Sequence, residues 1–244
     1  MKSIKEMTLK EKIGQLILPG FHGFEYDEHL RTLIEDYHVG NVILFTRNFE
    51  NAEQMKKLTT KIHDEIIKNT GVVPFIAIDQ EGGLVTRMMK DVTFAAGPMT
   101  SSSVSEQAVY DTGKMLAYDM IQLGMNLNLA PSLDVNNNPN NPVINVRSYS
   151  DNPEIVSKMG KNFIKGSLEY GVLPVYKGSE PTKDEEGKIY SEDTIYNSFE
   201  DFASVALNAL SEVLKSISAQ LSAIAVLKVV SKDYADAAIA LAGA

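Results

Sequence analysis

Two stretches of this 244-residue chain gather the residue types that can do chemistry. The first is FIAIDQEGGLVTR, residues 75–87, in which the apolar run Phe75-Ile76-Ala77-Ile78 stops at Asp79-Gln80-Glu81, turns at Gly82-Gly83 and closes on Arg87. A carboxylate at a strand's end can accept hydrogen bonds from adjacent hydroxyls of a polyhydroxyl ligand. Glycines let the backbone turn tightly beneath it, and an arginine supplies donors. A capped turn held by a salt bridge would use the same residues. The second stretch is APSLDVNNNPNNPVINVRSYSDNPE, residues 130–154. It is too long and polar for a mere connector, and long ordered loops usually carry function. Its Asp134 and Arg147 could pair or meet a ligand, against the plain alternative of a flexible Asn/Pro loop.

Such residues need elements to hold them. From residue 8 to 177 short apolar runs alternate with helical stretches, a pattern of βαβ units and a parallel sheet. Five strand candidates stand out: Gln15 to Leu18, Val42 to Phe45, Val73 to Ile78, Met125 to Leu129 and Val172 to Tyr176. Between them, Ala52 to Lys68 and Ser105 to Leu123 read as helices. In the latter Ala108, Thr112, Met115, Leu116, Met120 and Leu123 step at three to four residues. Thr8 followed by Glu11 is a capping box that opens the first helix. The polar segments after the strands, PGFHG, TRNFEN, DQEGG, APSLDVNNNPNNP and KGSEP, would share the C-terminal edge of the sheet, where α/β folds build their sites.

After Pro181 the pattern changes. Residues 182–196 read as a polar linker, and from Asn197 to Ala242 there is neither glycine nor proline. There Phe199, Phe202, Leu210, Val213, Ile217 and Leu221 draw an apolar stripe along a long helix, a surface for covering the strands or for self-association. The expected organisation is thus a barrel portion at 1–181, the linker, and a helical tail at 197–244.

Charge and composition narrow the partners. A net charge of −9 disfavours nucleic acid or an anionic membrane and leaves a neutral small molecule open. With no cysteine, disulfides, thiolate nucleophiles and Cys-ligated metals are excluded. The N-terminus carries charges through its first twelve residues and lacks the pattern of a signal peptide, and no run reaches the ~18 apolar residues of a membrane span, so a cytoplasmic location is expected. The histidine spacing fits no metal motif, no phosphate-loop pattern appears, and no cofactor is expected.

Taken in order, GQLILPGF, GNVILFTRN, FIAIDQEGGLVTR, NLNLAPSLDVNNNPNNPVINVRSY and GVLPVYK resemble the N-terminal barrel of family 3 glycoside hydrolases, most closely the bacterial β-N-acetylhexosaminidases that remove N-acetylglucosamine from cell-wall fragments. The resemblance covers about residues 5–177. It implies an α/β fold, part of a TIM-like (β/α)8 barrel with five recognisable βα units, followed here by the α-helical tail. It places Asp79, Arg87, Arg147 and Lys177 on sugar-binding positions for a small N-acetylglucosamine-like carbohydrate. Asp79 would grip ring hydroxyls, and Arg147 and Lys177 would donate to hydroxyl or acetamido oxygens.

The same resemblance breaks after Lys177. The family continues that lysine as Lys-His-Phe-Pro-Gly-His-Gly-Asp-Thr, with a histidine as general acid/base, whereas this chain reads Gly178-Ser179-Glu180-Pro181. Its four histidines, His22, His29, His38 and His63, all precede residue 64. No counterpart of the family's serine-aspartate-aspartate nucleophile motif is visible, and the chain is expected to end before that strand. Retaining hydrolysis needs both groups, so the catalytic residues stay unassigned. Glu81, Asp134, Glu180 and Asp193 are conceivable substitutes, each equally explained as a turn, cap or linker charge. Three readings follow: a glycosidase whose missing groups come from a partner chain or an unrecognised substitute, a non-catalytic sugar-binding or remnant domain, and a self-associating structural chain.

Overall fold

The computed structural model describes residues 2–178, which fall into two compact units, 2–77 and 78–178. The expected linker and helical tail, with the Phe199 to Leu221 stripe, lie outside the described residues, as do Glu180 and Asp193.

The first unit opens with the capping box. Thr8 Oγ1 accepts from the Glu11 amide at 3.3 Å, and the Glu11 carboxylate takes the Thr8 amide at 2.8 Å, starting α1 at Leu9–Gln15. This helix overrides the strand expected at Gln15 to Leu18, since Gln15 ends the helix and Leu16 caps it. Tertiary contacts explain the correction. Gly14 lies so close to the chain at 37–38 that a Cβ there would sit 2.1 Å from His38 O. Gln15 Nε2 donates to that same carbonyl at 3.0 Å, while Gln15 O accepts from Asn41 Nδ2 at 2.9 Å. The chain aligns with the next strand only further on, where Ile43 N donates to Pro19 O at 3.0 Å and Gly20 bridges Ile43 in parallel.

Helix α2, Glu28–Glu35, is capped by Asp27 and leads to strand β1, Asn41–Leu44. Helix α3 spans Ala52–Thr70, capped by Asn51 and stopped by Gly71 in the left-handed region at φ 71°. Its buried Met55, Leu58, Ile62 and Ile66 follow the helical period, and each such side chain contributes about 1.5–3 kcal/mol by leaving water. Strand β2, Phe75–Ile78, lies beside β1. It begins two residues later than the apolar run suggested, because Pro74 has no N–H to give a ladder.

The second unit takes up the chain at Ile78. Helix α4 is Pro98–Val104 and α5 is Glu106–Gln122, with Ser105 as the cap of α5. Strand β3, Leu127–Asn128, pairs in parallel with β4, Leu173–Pro174, and α6, Pro153–Leu168, precedes β4. Leu129 N donates to Ile78 O at 2.9 Å, joining the end of β2 to the segment after β3. Helices α5 and α6 cross at glycine: a Cβ on Gly113 would meet Phe163 O at 2.2 Å, and one on Gly166 would meet Tyr110 O at 2.1 Å. The buried face of α5 keeps Thr112, Leu116, Met120 and Leu123 of the expected stripe and widens toward Val109, Gly113 and Ala117, while Met115, expected inside, is 40% exposed. Around the crossing, Leu116, Leu133, Tyr149, Val156, Met159, Phe163 and Ile164 form the core.

The architecture is α/β with parallel pairing and helical crossovers. The described residues hold four strands, with an isolated bridge at Gly20, just beyond the Gln15 to Leu18 run where a fifth was expected. No helix among them is long and apolar enough to cross a membrane.

Candidate functional site

The site belongs wholly to the second unit. Past Ile78 the chain leaves the strand, and Asp79 and Glu81 flank the fully buried Gln80. Both carboxylates reach the Lys177 ammonium. The chain then reverses: Glu81 N donates to Val85 O at 2.9 Å, and Gly82 adopts φ 91° with its α-carbon so near the 95–96 segment that a Cβ would meet Ala96 O at 2.5 Å. Only glycine fits there. The reversal brings Arg87 back to Asp79. Arg87 thus lies in a loop, since the next helix begins only at Pro98.

Lys177 arrives from β4. Its N–H donates to Pro131 O at 2.8 Å and its C=O accepts from Leu133 N at 2.6 Å, a parallel bridge around Ser132 that continues the β3–β4 pairing irregularly. Arg147 comes from the long loop, which the structure shows to be fastened to itself. Tyr149 is buried in the α5–α6 core, and Ser148 Oγ lies 2.6 Å from Asp134 O. The asparagines build turns: Asn138 Oδ1 accepts from Asn140 N at 3.0 Å, and Asn141 Oδ1 from Val143 N at 2.9 Å. The Asn/Pro composition therefore encodes local turn geometry that presents Arg147.

These elements bring all four residues singled out in the sequence, Asp79, Arg87, Arg147 and Lys177, into one network centred on a fifth. Glu81 is fully buried and uses both oxygens. Arg147 grips it with Nε to Oε2 at 2.9 Å and Nη2 to Oε1 at 2.8 Å, and Lys177 Nζ approaches Oε1 at 2.6 Å. Lys177 Nζ also donates to Asp79 Oδ1 at 2.7 Å, and Arg87 Nη2 stands 3.6 Å from Asp79 Oδ2. Glu81 is the floor. Above it the Asp79 side chain keeps 14% of its surface in water, Arg147 20%, Arg87 32% and Lys177 33%. The hydrogen bonds Arg147 donates to Glu81 raise its pKa above the ordinary value, against burial, and burial followed by the Glu81 charge holds the Tyr149 hydroxyl well above its own. A forked arginine–carboxylate pair of this kind fixes direction as well as charge.

Chemically the site offers one partly open carboxylate and three cationic donors around a buried counter-ion. It suits a ligand rich in hydroxyls with a carbonyl oxygen to be held. Glu81, read in the sequence as a substitute catalyst or a turn charge, has its oxygens committed to two cations. The signal that could have found it is its spacing of two from Asp79. Asp134 accepts from Ser132 Oγ at 2.9 Å. The four histidines belong to the first unit. Among the described residues no three His, Asp or Glu side chains converge as a metal centre would need.

Set beside known proteins, the chain belongs to glycoside hydrolase family 3: the family's N-terminal domain, described as Glycosyl hydrolase family 3 N terminal domain, matches residues 8–183. Within that family its relatives are β-hexosaminidases. Beta-hexosaminidase A of Pseudoalteromonas piscicida is 39% identical over 154 residues, 61% of this chain and 26% of that protein. Among solved structures, the family 3 β-N-acetylglucosaminidase of Paenibacillus sp. str. FPU-7 is 40% identical with a TM-score of 0.69, the match covering 70% of this chain and 33% of that one. NagZ from Neisseria gonorrhoeae, in complex with N-trifluoroacetyl-D-glucosamine, is 30% identical with a TM-score of 0.60, over 67% and 49%. The chain thus spans less than half the length of each of these three relatives.

Proposed function

We propose that this site holds the terminal N-acetylglucosamine of a cell-wall-type glycan in a β-N-acetylhexosaminidase reaction. The carrying observation is the convergence of Asp79, Arg87, Arg147 and Lys177 over the buried Glu81 carboxylate. Asp79, the carboxylate left partly in water, accepts from ring hydroxyls. Arg87, Arg147 and Lys177 donate to hydroxyl or acetamido oxygens. The solved relative with an N-acylated glucosamine derivative and the β-N-acetylglucosaminidase relatives support the choice of sugar.

In a retaining glycosidase a nucleophile and an acid/base flank the anomeric carbon, about 5–5.5 Å apart. Neither carboxylate of the network is placed for those tasks, because Glu81 is enclosed by two cations and Asp79 is paired with Lys177. Their work is to bind and orient the sugar. The test is titration of the full chain with N-acetylglucosamine, followed by nuclear magnetic resonance or calorimetry, with Asp79→Ala alongside. We expect saturable binding that weakens about a hundredfold in the variant, the loss of two or more charge-assisted hydrogen bonds. Equal affinity in both proteins would place the ligand elsewhere. An aryl N-acetylglucosaminide in the same series divides the reaction: turnover abolished by Asp79→Ala assigns the whole of it to this chain, and binding without turnover assigns it the sugar-holding half.

A further inference from the structure

The residue between the two carboxylates is neither charged nor exposed. Gln80 is fully buried, and four hydrogen bonds meet on it. Its backbone is clamped by one side chain, that of Asn128 at the end of β3: Gln80 N donates to Asn128 Oδ1 at 3.0 Å, and Asn128 Nδ2 donates to Gln80 O at 2.9 Å. A primary amide here does what a neighbouring strand's peptide would do, and it fixes both peptide planes that flank Gln80. Those planes carry Asp79 on one side and Glu81 on the other. Gln80's own side chain reaches in the opposite direction and catches the returning loop, with Oε1 accepting from Arg87 N at 2.9 Å and Met88 N at 3.4 Å.

We infer that Gln80, locked by Asn128, is a positioning residue that sets Arg87 opposite Asp79 and so tunes recognition of the sugar. This presupposes the sugar site proposed above. The choice of glutamine supports it. Only the oxygen of its amide is used, and Nε2 is buried without a partner. A glutamate would supply that oxygen equally well. It would also place a third negative charge beside Asp79 and Glu81, in competition for Arg87 and Lys177. What the amide contributes is an acceptor without charge, at the expense of one unpaired donor, a cost that structures retain where placement matters. Buried polar clips of this type act through the groups they orient.

The experiment uses the full chain and two readouts. The first is N-acetylglucosamine affinity in Gln80→Met, Arg87→Ala and the double variant. The second is hydrogen exchange at the Arg87 Nε–H, which is buried in the ligand-free protein and therefore slow. We expect Gln80→Met to weaken binding about tenfold, as loss of one well-placed donor would, and to speed the Arg87 exchange. We expect the double variant to bind no worse than Arg87→Ala, because Gln80 acts through Arg87. Gln80→Glu, which keeps the oxygen but adds the charge that competes for Arg87, should bind the sugar more weakly than the wild type. Undiminished affinity in Gln80→Met, or additive losses in the double variant, would overturn the inference and reduce Gln80 to a general stabiliser. If the wild type binds no N-acetylglucosamine, the sugar reading fails on its own, and the exchange readout still decides: unchanged Arg87 exchange in Gln80→Met refutes the positioning role. Should the methionine variant not fold, Gln80→Asn, which withdraws the same oxygen by one methylene while keeping the site polar, takes its place in every comparison.

Discussion

In the first unit, apart from Lys2 with Glu11, the lysine and arginine ion pairs run along helices. Arg31 sits between Glu28 and Glu35 on α2, and on α3 Lys57 meets Glu53 while Glu65 is shared by Lys61 and Lys68. The partners are three or four residues apart, exposed in the main, and they position nothing beyond their own helix turn. In the second unit, Asp79, Glu81, Arg87, Arg147 and Lys177 come from three separate segments and close around a carboxylate with no exposed surface. The ends of β1 and β2 show the same contrast. After β1, Asn48 spends its amide on Phe45 N, Phe21 O and Gly23 O, and Arg47 donates to Phe21 O with its guanidinium 4.2 Å from the Phe45 ring centre. That corner satisfies itself with carbonyls and an aromatic face. After β2, charge faces charge, with Asp79 held at the edge of water. The difference teaches that a polar cluster at a strand end becomes a candidate site only when its groups are charged, gathered from afar and left partly unspent.

That contrast can be broken most sharply at Glu81. Replacing it with alanine leaves Arg147 and Lys177 around a buried void, and breaking a buried pair from one side costs about 3 kcal/mol or more. Chemical denaturation of Glu81→Ala should show that loss, together with loss of N-acetylglucosamine binding. A variant as stable as the wild type would mean that the network is no more structural than the pairs on α3.

Asn48→Ala is the matching cut after β1. It leaves the Phe21 and Gly23 carbonyls with fewer donors in a buried corner, a loss of about 1–2 kcal/mol. Sugar affinity should stay as it was, and any parallel drop in binding would erase the distinction between a structural corner and a ligand corner.

The smallest effect belongs to the first unit's α1. Lys2 Nζ and then the Thr8 cap hold the half-buried Glu11 carboxyl down at about 2, from an ordinary value of 4.5. A carboxylate whose folded value is depressed stabilises the fold fully above its unfolded value, and that contribution is lost as pH falls toward the folded one. Melting temperatures between pH 5 and pH 2 should therefore fall less steeply in Glu11→Gln than in the wild type. Identical slopes would show that this surface pair adds nothing.

Where a single period or cap decides an element, the chain announced it. Asn51 and Ser105 start α3 and α5 at the expected places, and the Thr8–Glu11 box starts α1. The misreading at Gln15 to Leu18 came from a run that is apolar in any conformation, and contacts of Gly14 and Gln15 with residues 23 or more positions away decided it. On α5 most of the expected stripe, Thr112, Leu116, Met120 and Leu123, is buried, while Met115 faces out and the burial of Gly113 and Ala117, where α6 approaches, was not legible. That Asp79, Arg87, Arg147 and Lys177 belong together was legible from the resemblance of their motifs. The roles of Glu81 and Gln80 were not, because each is defined by partners up to 96 residues away that no local pattern names.

The bridge that delivers Lys177 to residues 131–133 also sets a timetable. Asp79 and Lys177 are separated by 98 positions. At a synthesis rate of about 5–20 residues per second, a new chain carries Asp79 and Glu81 for roughly 5–20 s before Lys177 exists. Arg147 comes 66 positions after Glu81 and cannot neutralise it sooner. Until then Glu81 lacks both of its cations, and only Arg87 is at hand for Asp79. Lys177, the last cation of this charged corner, is thus made only after α5 and α6 are both complete.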